Sequence, residues 1–381
     1  TKGCVLATLP NGTVCDDGTE CSRSDRCGKG VCLGSNLRSN AAGDWADDPG
    51  APVVVGGPAA PVPTGPTSVD VFTDKAEVAH VVGTYVGRIA FNDKDVTAPA
   101  PTSLALGARQ ETGIYWAKYS ETGVVLLAGN LGGVSKGGSL TVNHATSHPD
   151  GSFSLLGVVF GNAEFGFNGK TVTFDATKGP FVFVVHYLAT GELAWLAHFA
   201  PQAQSAFTAD SLAAFDDGSV IAIGANSGTM DFFDAKGTGF GSALKPGIWA
   251  ARLSPQGAGQ WGSMVVARGA SASAQAVTTH EDGSASLTGG FTITAALGPN
   301  GEIPVTVGEG EKGRDIWFEK LDKSGKILWG GRVGGAGADW PGDVARIKGG
   351  GLLLLANTAG GTPNANDSKT TQQLHATPAS L

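Results

Sequence analysis

The chain has 381 residues and a net charge of −8, with 16% charged residues, 41% hydrophobic residues and 59 glycines. So much apolar side chain excludes a disordered polymer, and an acidic chain without basic clusters interleaved with aromatics is not built to hold nucleic acid. No apolar run approaches the roughly 18 residues of a membrane-spanning helix; the longest, from Gly351 to Ala356, is the length of a buried strand.

In chain order, the first segment is residues 1–34. The chain starts at Thr1 with no signal peptide ahead of it, which reads as a processed or trimmed form of an exported protein. Cys4, Cys15, Cys21, Cys27 and Cys32 are the only cysteines, all inside this segment. Cysteine confined to one small module predicts a disulfide scaffold in an oxidising compartment, outside the cell or on its surface. Zinc is the weaker reading, because no CxxC pair is present. The odd count leaves one thiol over or bonded to another chain. Asp16 and Asp17 are weak Ca²⁺ candidates, and no other metal ligands are expected.

Residues 35–67 are rich in Pro, Gly and Ala and predict an extended, semi-rigid arm. Its apolar core, "PVVVGG", can lie along a neighbouring surface.

From residue 68 the chain repeats. Gly123, Gly191, Gly257 and Gly325 mark successive copies of one phrase, spaced 68, 66 and 68 residues apart. Each copy reads as four short strands with polar turns, a third strand ("GIYWAKY", "FVFVVHY", "GIWAARL", "DIWFEKL") entering a Gly hairpin, and a fourth carrying Trp195, Trp261 or Trp329, with Leu127 in the first. No stretch keeps a 3.6-residue period, so the expected fold is all-β: a β-propeller of four-stranded antiparallel blades over residues 68–361. Glycine fits the left-handed turn position of the phrase, and the Trp four residues on fits a wedge between blades.

The segment from Asp315 to Ala345 resembles the bacterial SBBP-type β-propeller repeat, and "CDDGTECSRSDRCGKGVC" (Cys15 to Cys32) resembles the short cysteine-rich repeats of large secreted bacterial proteins. The resemblance implies a propeller or propeller-like fold outside a bacterial cell and no single activity. "HYLATGELAW" also comes close to the Trp motif of quinoprotein dehydrogenases. That remote enzyme reading would need a larger ring and a cysteine pair beside the cofactor, which this region lacks.

Other chemistry is thinly supplied. There is no HExxH, no G-x-S-x-G elbow and no Walker loop. His186 shares its repeat position with Lys118, Arg252 and Lys320 and is taken as scaffold in an outward-facing polar slot. No catalytic residue and no cofactor is expected.

The fifth copy stops after two strands. Leu352, Leu353, Leu354 and Leu355 would then form an open, greasy edge ahead of a polar tail at 362–381. Such an edge can be covered by the N-terminal arm, by the tail, or by another copy of the chain. The sequence therefore predicts a non-enzymatic structural or adhesive surface protein, self-associating through the arm and this edge. The alternative is a lectin-like propeller binding glycan or protein through variable loops at 92–112, 166–179, 233–246 and 299–313.

Overall fold

A computed structural model describes residues 23–28, 31–35, 52–54, 69–74, 78–86, 88–91, 103–105, 110–120, 123–135, 137–167, 171–202, 205–268, 271–307, 313–334, 337–347, 351–358 and 370–376. Among these the chain is all-β, with no helix and so none long and apolar enough to cross a membrane. Five antiparallel units follow one another. The first comprises Val69–Thr73, Ala79–Val86, Gln110–Tyr119 and Val125–Ser135. The second comprises Ser139–Ser147, Phe153–Phe165, Val172–Tyr187 and Leu193–Pro201. The third is Ser211–Ala214, Val220–Asn226, Gly247–Leu253 and Gly259–Arg268, and the fourth Ser271–Thr279, Ala285–Thr292, Arg314–Leu321 and Ile327–Val333. The fifth has Trp340–Arg346, Leu352–Thr358 and Thr370–Ala376.

The first strands of successive units lie side by side, from Val69–Thr73 through Ser139–Ser147, Ser211–Ala214 and Ser271–Thr279 to Trp340–Arg346. Third strands carry the most deeply buried aromatics. Trp116, Trp249 and Trp317 are fully buried, and apolar clusters run continuously from one unit into the next. Burying a large aromatic contributes roughly 1.5–3 kcal/mol relative to exposure, so these rings are main anchors of the packing between units. No closed barrel or closed ring is detected among the described residues.

In the second, third and fourth units, residues at the end of or just after the second strand pair with the last strand of the previous unit. Met230–Phe233, in the third unit, pairs antiparallel with Leu193–Pro201 of the second. Thr294–Leu297, in the fourth, pairs with Gly259–Arg268 of the third. Ala163 to Phe165, in the second, pairs with Gly132 to Val134 of the first. In the first unit Arg88–Phe91 does the same with Pro52–Val54 of the arm. Unpaired strand edges are liabilities, and this device removes them. It also corrects the expectation of free binding loops: much of the chain at 166–179, 233–246 and 299–313 is committed to these hairpins.

The last edge is corrected as well. Leu352–Thr358 is paired on one side with Trp340–Arg346 and on the other, in unbroken register, with Thr370–Ala376. The tail folds back, and Leu352, Leu353, Leu354 and Leu355 present no open edge for a second copy.

The repeated phrase lies in the seams between units. Gly123, Gly191, Gly257 and Gly325 have φ of 79°, 83°, 77° and 81°, the left-handed region that glycine enters at no steric cost. A Cβ on Gly257 would come 2.8 Å from the Trp195 ring, and one on Gly325 would come 2.8 Å from Trp261. Trp195 Nε1 donates to Pro255 O at 2.9 Å and Trp261 Nε1 to Lys323 O at 3.0 Å, each in the next unit's hairpin. Trp329 instead packs against Phe318, with ring centroids 6.0 Å apart. In the cysteine segment Arg23–Gly28 pairs with Val31–Ser35, placing the backbones of Cys27 and Cys32 opposite each other. Cys4, Cys15, Cys21, Asp16 and Asp17 lie outside the described residues.

Candidate functional site

The turns between first and second strands share one local design. In "HPDGS", "FDDGS" and "HEDGS" the aspartate Oδ1 accepts the serine N–H two residues on, at 3.0 Å for Asp150, 2.9 Å for Asp217 and 2.9 Å for Asp282. The intervening Gly151, Gly218 and Gly283 are left-handed, with φ of 83°, 81° and 78°. Aspartate and glycine are favoured there because the short carboxylate closes the turn and glycine tolerates its geometry. The acidic turns are thereby occupied by local hydrogen bonds.

Because the first strands sit side by side, these turns crowd together at one end of the array. The turns of the first three units line an open cleft of about 260 Å³, formed by Thr73, Asp74, Ser147, His148, Pro149, Ala214, Phe215 and Asp216. At its rim Arg346, in the fifth unit, reaches Asp216 of the third at 3.2 Å. Residues from units far apart in sequence thus meet at the cleft.

Two polar side chains of this wall are held from behind. Asp74 meets His80 Nε2 at 3.2 Å, and Trp116 Nε1 lies 3.3 Å from His80 Nδ1. The indole can only donate, so it fixes His80 as the Nε2–H tautomer, which donates to Asp74. Burial holds the His80 pKa below its usual value, keeping the ring neutral.

The second is His148, which is 3% exposed. Its Nε2 lies 2.8 Å from Ser154 Oγ, and that oxygen lies 2.9 Å from His186 Nδ1. Burial pulls both imidazoles down to about 4, so both are neutral at ordinary pH. One hydroxyl proton serves two ring nitrogens, which leaves two arrangements of the chain. His148 Nδ1 is a bare acceptor when the hydroxyl points to His186, and carries a proton when it points to His148. That Nδ1 is buried and has no hydrogen-bond partner.

The slot of Lys118, His186, Arg252 and Lys320 is also corrected. It does not face outward: His186, Arg252 and Lys320 are 6%, 4% and 5% exposed. Lys118 Nζ donates to Ala189 O at 2.9 Å and Arg252 Nη1 to Gly283 O at 2.8 Å, each in the following unit. Lys118 and Arg252 tie one unit to the next, Lys320 pairs with Asp282 of its own unit, and of the four only His186 is joined to the cleft wall by a hydrogen-bonded chain.

The repeat glycines and tryptophans are seam residues and do not meet at the cleft. Sequence reasoning missed His148, although a signal existed: Asp74 and His80, His148 and Ser154, His280 and Ser286 are polar pairs six residues apart at one repeat position. It also missed Glu319, fully buried where the other units carry Ala117, Val185 and Ala251. Glu319 Oε2 accepts from Gly298 N at 3.0 Å, while Oε1 has no partner. Burial pushes its pKa well up. Among the described residues no group of three His, Cys, Asp or Glu is arranged to hold a metal ion.

Fold and site together define an all-β repeat chain with a polar cleft at one end of its inner strands. No family model matches the chain, and no curated protein matches it. Among solved structures it is similar to rhamnogalacturonan lyase YesW, at 13% identity and a TM-score of 0.28, covering 80% of this chain and 66% of the other. It is also similar to the exotype rhamnogalacturonan lyase YesX, at 14% identity and a TM-score of 0.27, covering 81% and 64%. The chain thus spans just under two thirds of both. Both are enzymes and neither supports the expectations of a non-enzymatic structural or adhesive protein and of a chain that is not an enzyme, which are withdrawn. The Leu352 to Leu355 edge is covered within the chain and is not open to the self-association expected through it. Likeness at this level carries neither the fold nor the chemistry of those lyases to this chain.

Proposed function

We propose that the five units form a β-propeller of the exported bacterial kind that the repeat resembles, and that its axial cleft binds a small polyhydroxylated molecule. The observation that carries the binding reading is His148 Nδ1, a buried ring nitrogen without a partner in a residue that lines the cleft. A buried polar atom left unpaired costs roughly 1–3 kcal/mol, and a ligand hydroxyl relieves that cost. A hydroxyl both donates and accepts, which suits a nitrogen that the Ser154 chain can present bare or protonated. Asp74, braced by His80, accepts from a second hydroxyl. The Ser154 chain also lets His148 give as well as take a proton, the equipment of acid–base chemistry on a bound hydroxyl. The first strands lying in sequence around one end support the propeller reading, and cysteines confined to residues 4–32 support export.

The test is calorimetric titration of the full chain with a panel of polyols and monosaccharides, repeated with His148→Gln. Glutamine keeps an amide near the place of Nε2, in reach of Ser154, and offers nothing at Nδ1. Binding by the wild type that weakens at least about tenfold in the variant is the expected result. A panel without a binder, or a variant that binds as tightly as the wild type, would sink the proposal.

A further inference from the structure

The units depart most from their common pattern at one place away from the cleft. Six residues before the slot, the first three units carry Thr112, Pro180 and Pro246, and the fourth carries Arg314. Seven residues before the inner turn, three units carry Thr141, Thr208 and Ser273, and the fifth carries Trp340. The two exceptions meet: the Arg314 guanidinium carbon lies 4.7 Å from the Trp340 ring centroid.

The guanidinium is positioned with care. Its Nη2 reaches across the second strand of its own unit to donate to Ser273 Oγ of the first. A Cβ on Gly290 would come 2.0 Å from its Nε, so glycine there leaves the guanidinium room in its present position. Yet no carboxylate pairs with it among the described residues, whereas Arg252, Arg332 and Arg346 each have an aspartate within 4 Å. Its Nε is buried and makes no hydrogen bond. A partly desolvated cation without a counter-charge is costly to keep, and packing alone gives no reason to place one here. Trp340 is 53% exposed despite stacking on the cation, so part of its apolar surface remains open to solvent beside that charge.

We propose that Arg314 and Trp340 form a second binding site, for a small carboxylate attached to a ring. The carboxylate supplies the missing counter-charge to Arg314 through charge-assisted hydrogen bonds. The ring lies on the exposed surface of Trp340, where an aromatic side chain offers a large, rigid contact at low entropic cost. A carboxylate without a ring leaves the Trp340 surface unused, and a neutral ring leaves the cation uncompensated. The chemistry is common to sugar acids and aromatic acids.

Calorimetric titration of the full chain carrying His148→Gln, which silences the cleft, with sodium D-galacturonate, sodium benzoate, D-galactose and sodium acetate tests the site. At least one ring carboxylate binds, and which one does so separates a sugar face from a flat arene. Galactose and acetate bind at least about tenfold more weakly. Trp340→Ala, a surface change, and Arg314→Gln each weaken the ring carboxylate by about tenfold or more, with thermal unfolding of Trp340→Ala unchanged. The proposal is overturned if neither ring carboxylate binds, if galactose binds as well as galacturonate and benzoate together, or if Trp340→Ala binds unaltered.

Discussion

The second and fourth units use the same turn for different ends. His148 and His280 each open an Asp-Gly-Ser turn, and each places Nε2 at 2.8 Å from a serine hydroxyl six residues on. Ser154 then reaches His186, a neutral imidazole, whereas the residue opposite Ser286 is Lys320, whose ammonium stands 3.7 Å from Asp282. One side chain on the third strand therefore decides the outcome. In the second unit it extends a relay of neutral, proton-sharing groups away from the cleft. In the fourth it ends the chain in an ion pair with the unit's own turn. A repeat scaffold can thus keep its backbone hydrogen bonds and diversify its chemistry through one position per unit.

Removing the serines should expose this difference most strongly. Ser154→Ala strips the partner from two buried imidazoles, Ser286→Ala from one. An orphaned buried polar group costs roughly 1–3 kcal/mol, so urea unfolding should show Ser154→Ala losing about 2–4 kcal/mol and Ser286→Ala about half of that. Equal losses would mean that the Ser154–His186 bond contributes nothing and that the two units are equivalent.

The repeat, its period and its strand content were legible in the sequence because they rest on glycine, tryptophan and alternating apolar residues, which report local backbone geometry. Gly257 against Trp195 is such a case: a left-handed glycine and a wedge four residues after its equivalent, both visible as a pattern. The cleft was not legible, since Asp74, His148 and Asp216 come from three units and meet only when first strands lie side by side. His186 was misplaced for a related reason. Its sister residues Lys118 and Arg252 look like solvent-facing charges until the next unit's turn carbonyls are seen to receive them. The open edge was misread because residues 370–376 have the polar composition of a tail, while their backbone still pairs with Leu352–Thr358.

Acid should separate the units next. The folded chain holds His148, His186 and His280 at about 4, whereas an unfolded histidine titrates near 6.5. Between these values the unfolded chain binds more protons, so stability falls as pH drops from about 6.5 through about 4, at up to about 1.4 kcal/mol per pH unit for each histidine. Glu319 acts in the opposite sense. Its folded pKa is raised, so its contribution is fully present below the unfolded value and is lost as pH rises above it. Unfolding free energies measured from pH 4 to 8 should therefore show a shallower acid limb when His148 and His186 are both replaced by Gln than when His280 alone is. Glu319→Gln should raise stability only toward the alkaline end. An acid limb unchanged by the double replacement would show that the two imidazoles do not titrate as their burial requires.

The smallest effect in stability is the most direct test of what the third-strand residue decides. His186→Lys converts the second unit into the pattern of the fourth. Lysine at that position can reach Asp150 as Lys320 reaches Asp282, because the two turns share one geometry. Asp150 is exposed enough that the new pair is worth at most about 1 kcal/mol, and part of that is offset by losing the stacking of His186 on Trp195, whose ring centroids are 5.3 Å apart. Thermal unfolding should move by only a few degrees. The proton arrangement of His148 changes much more. Lysine can only donate to Ser154, so the serine hydroxyl turns to His148 Nε2, and Nδ1 must then carry the proton. In ¹⁵N NMR the ring nitrogens of His148 should pass from exchange between tautomers to a single Nδ1–H form. Spectra that stay unchanged would place the control of His148 somewhere other than His186.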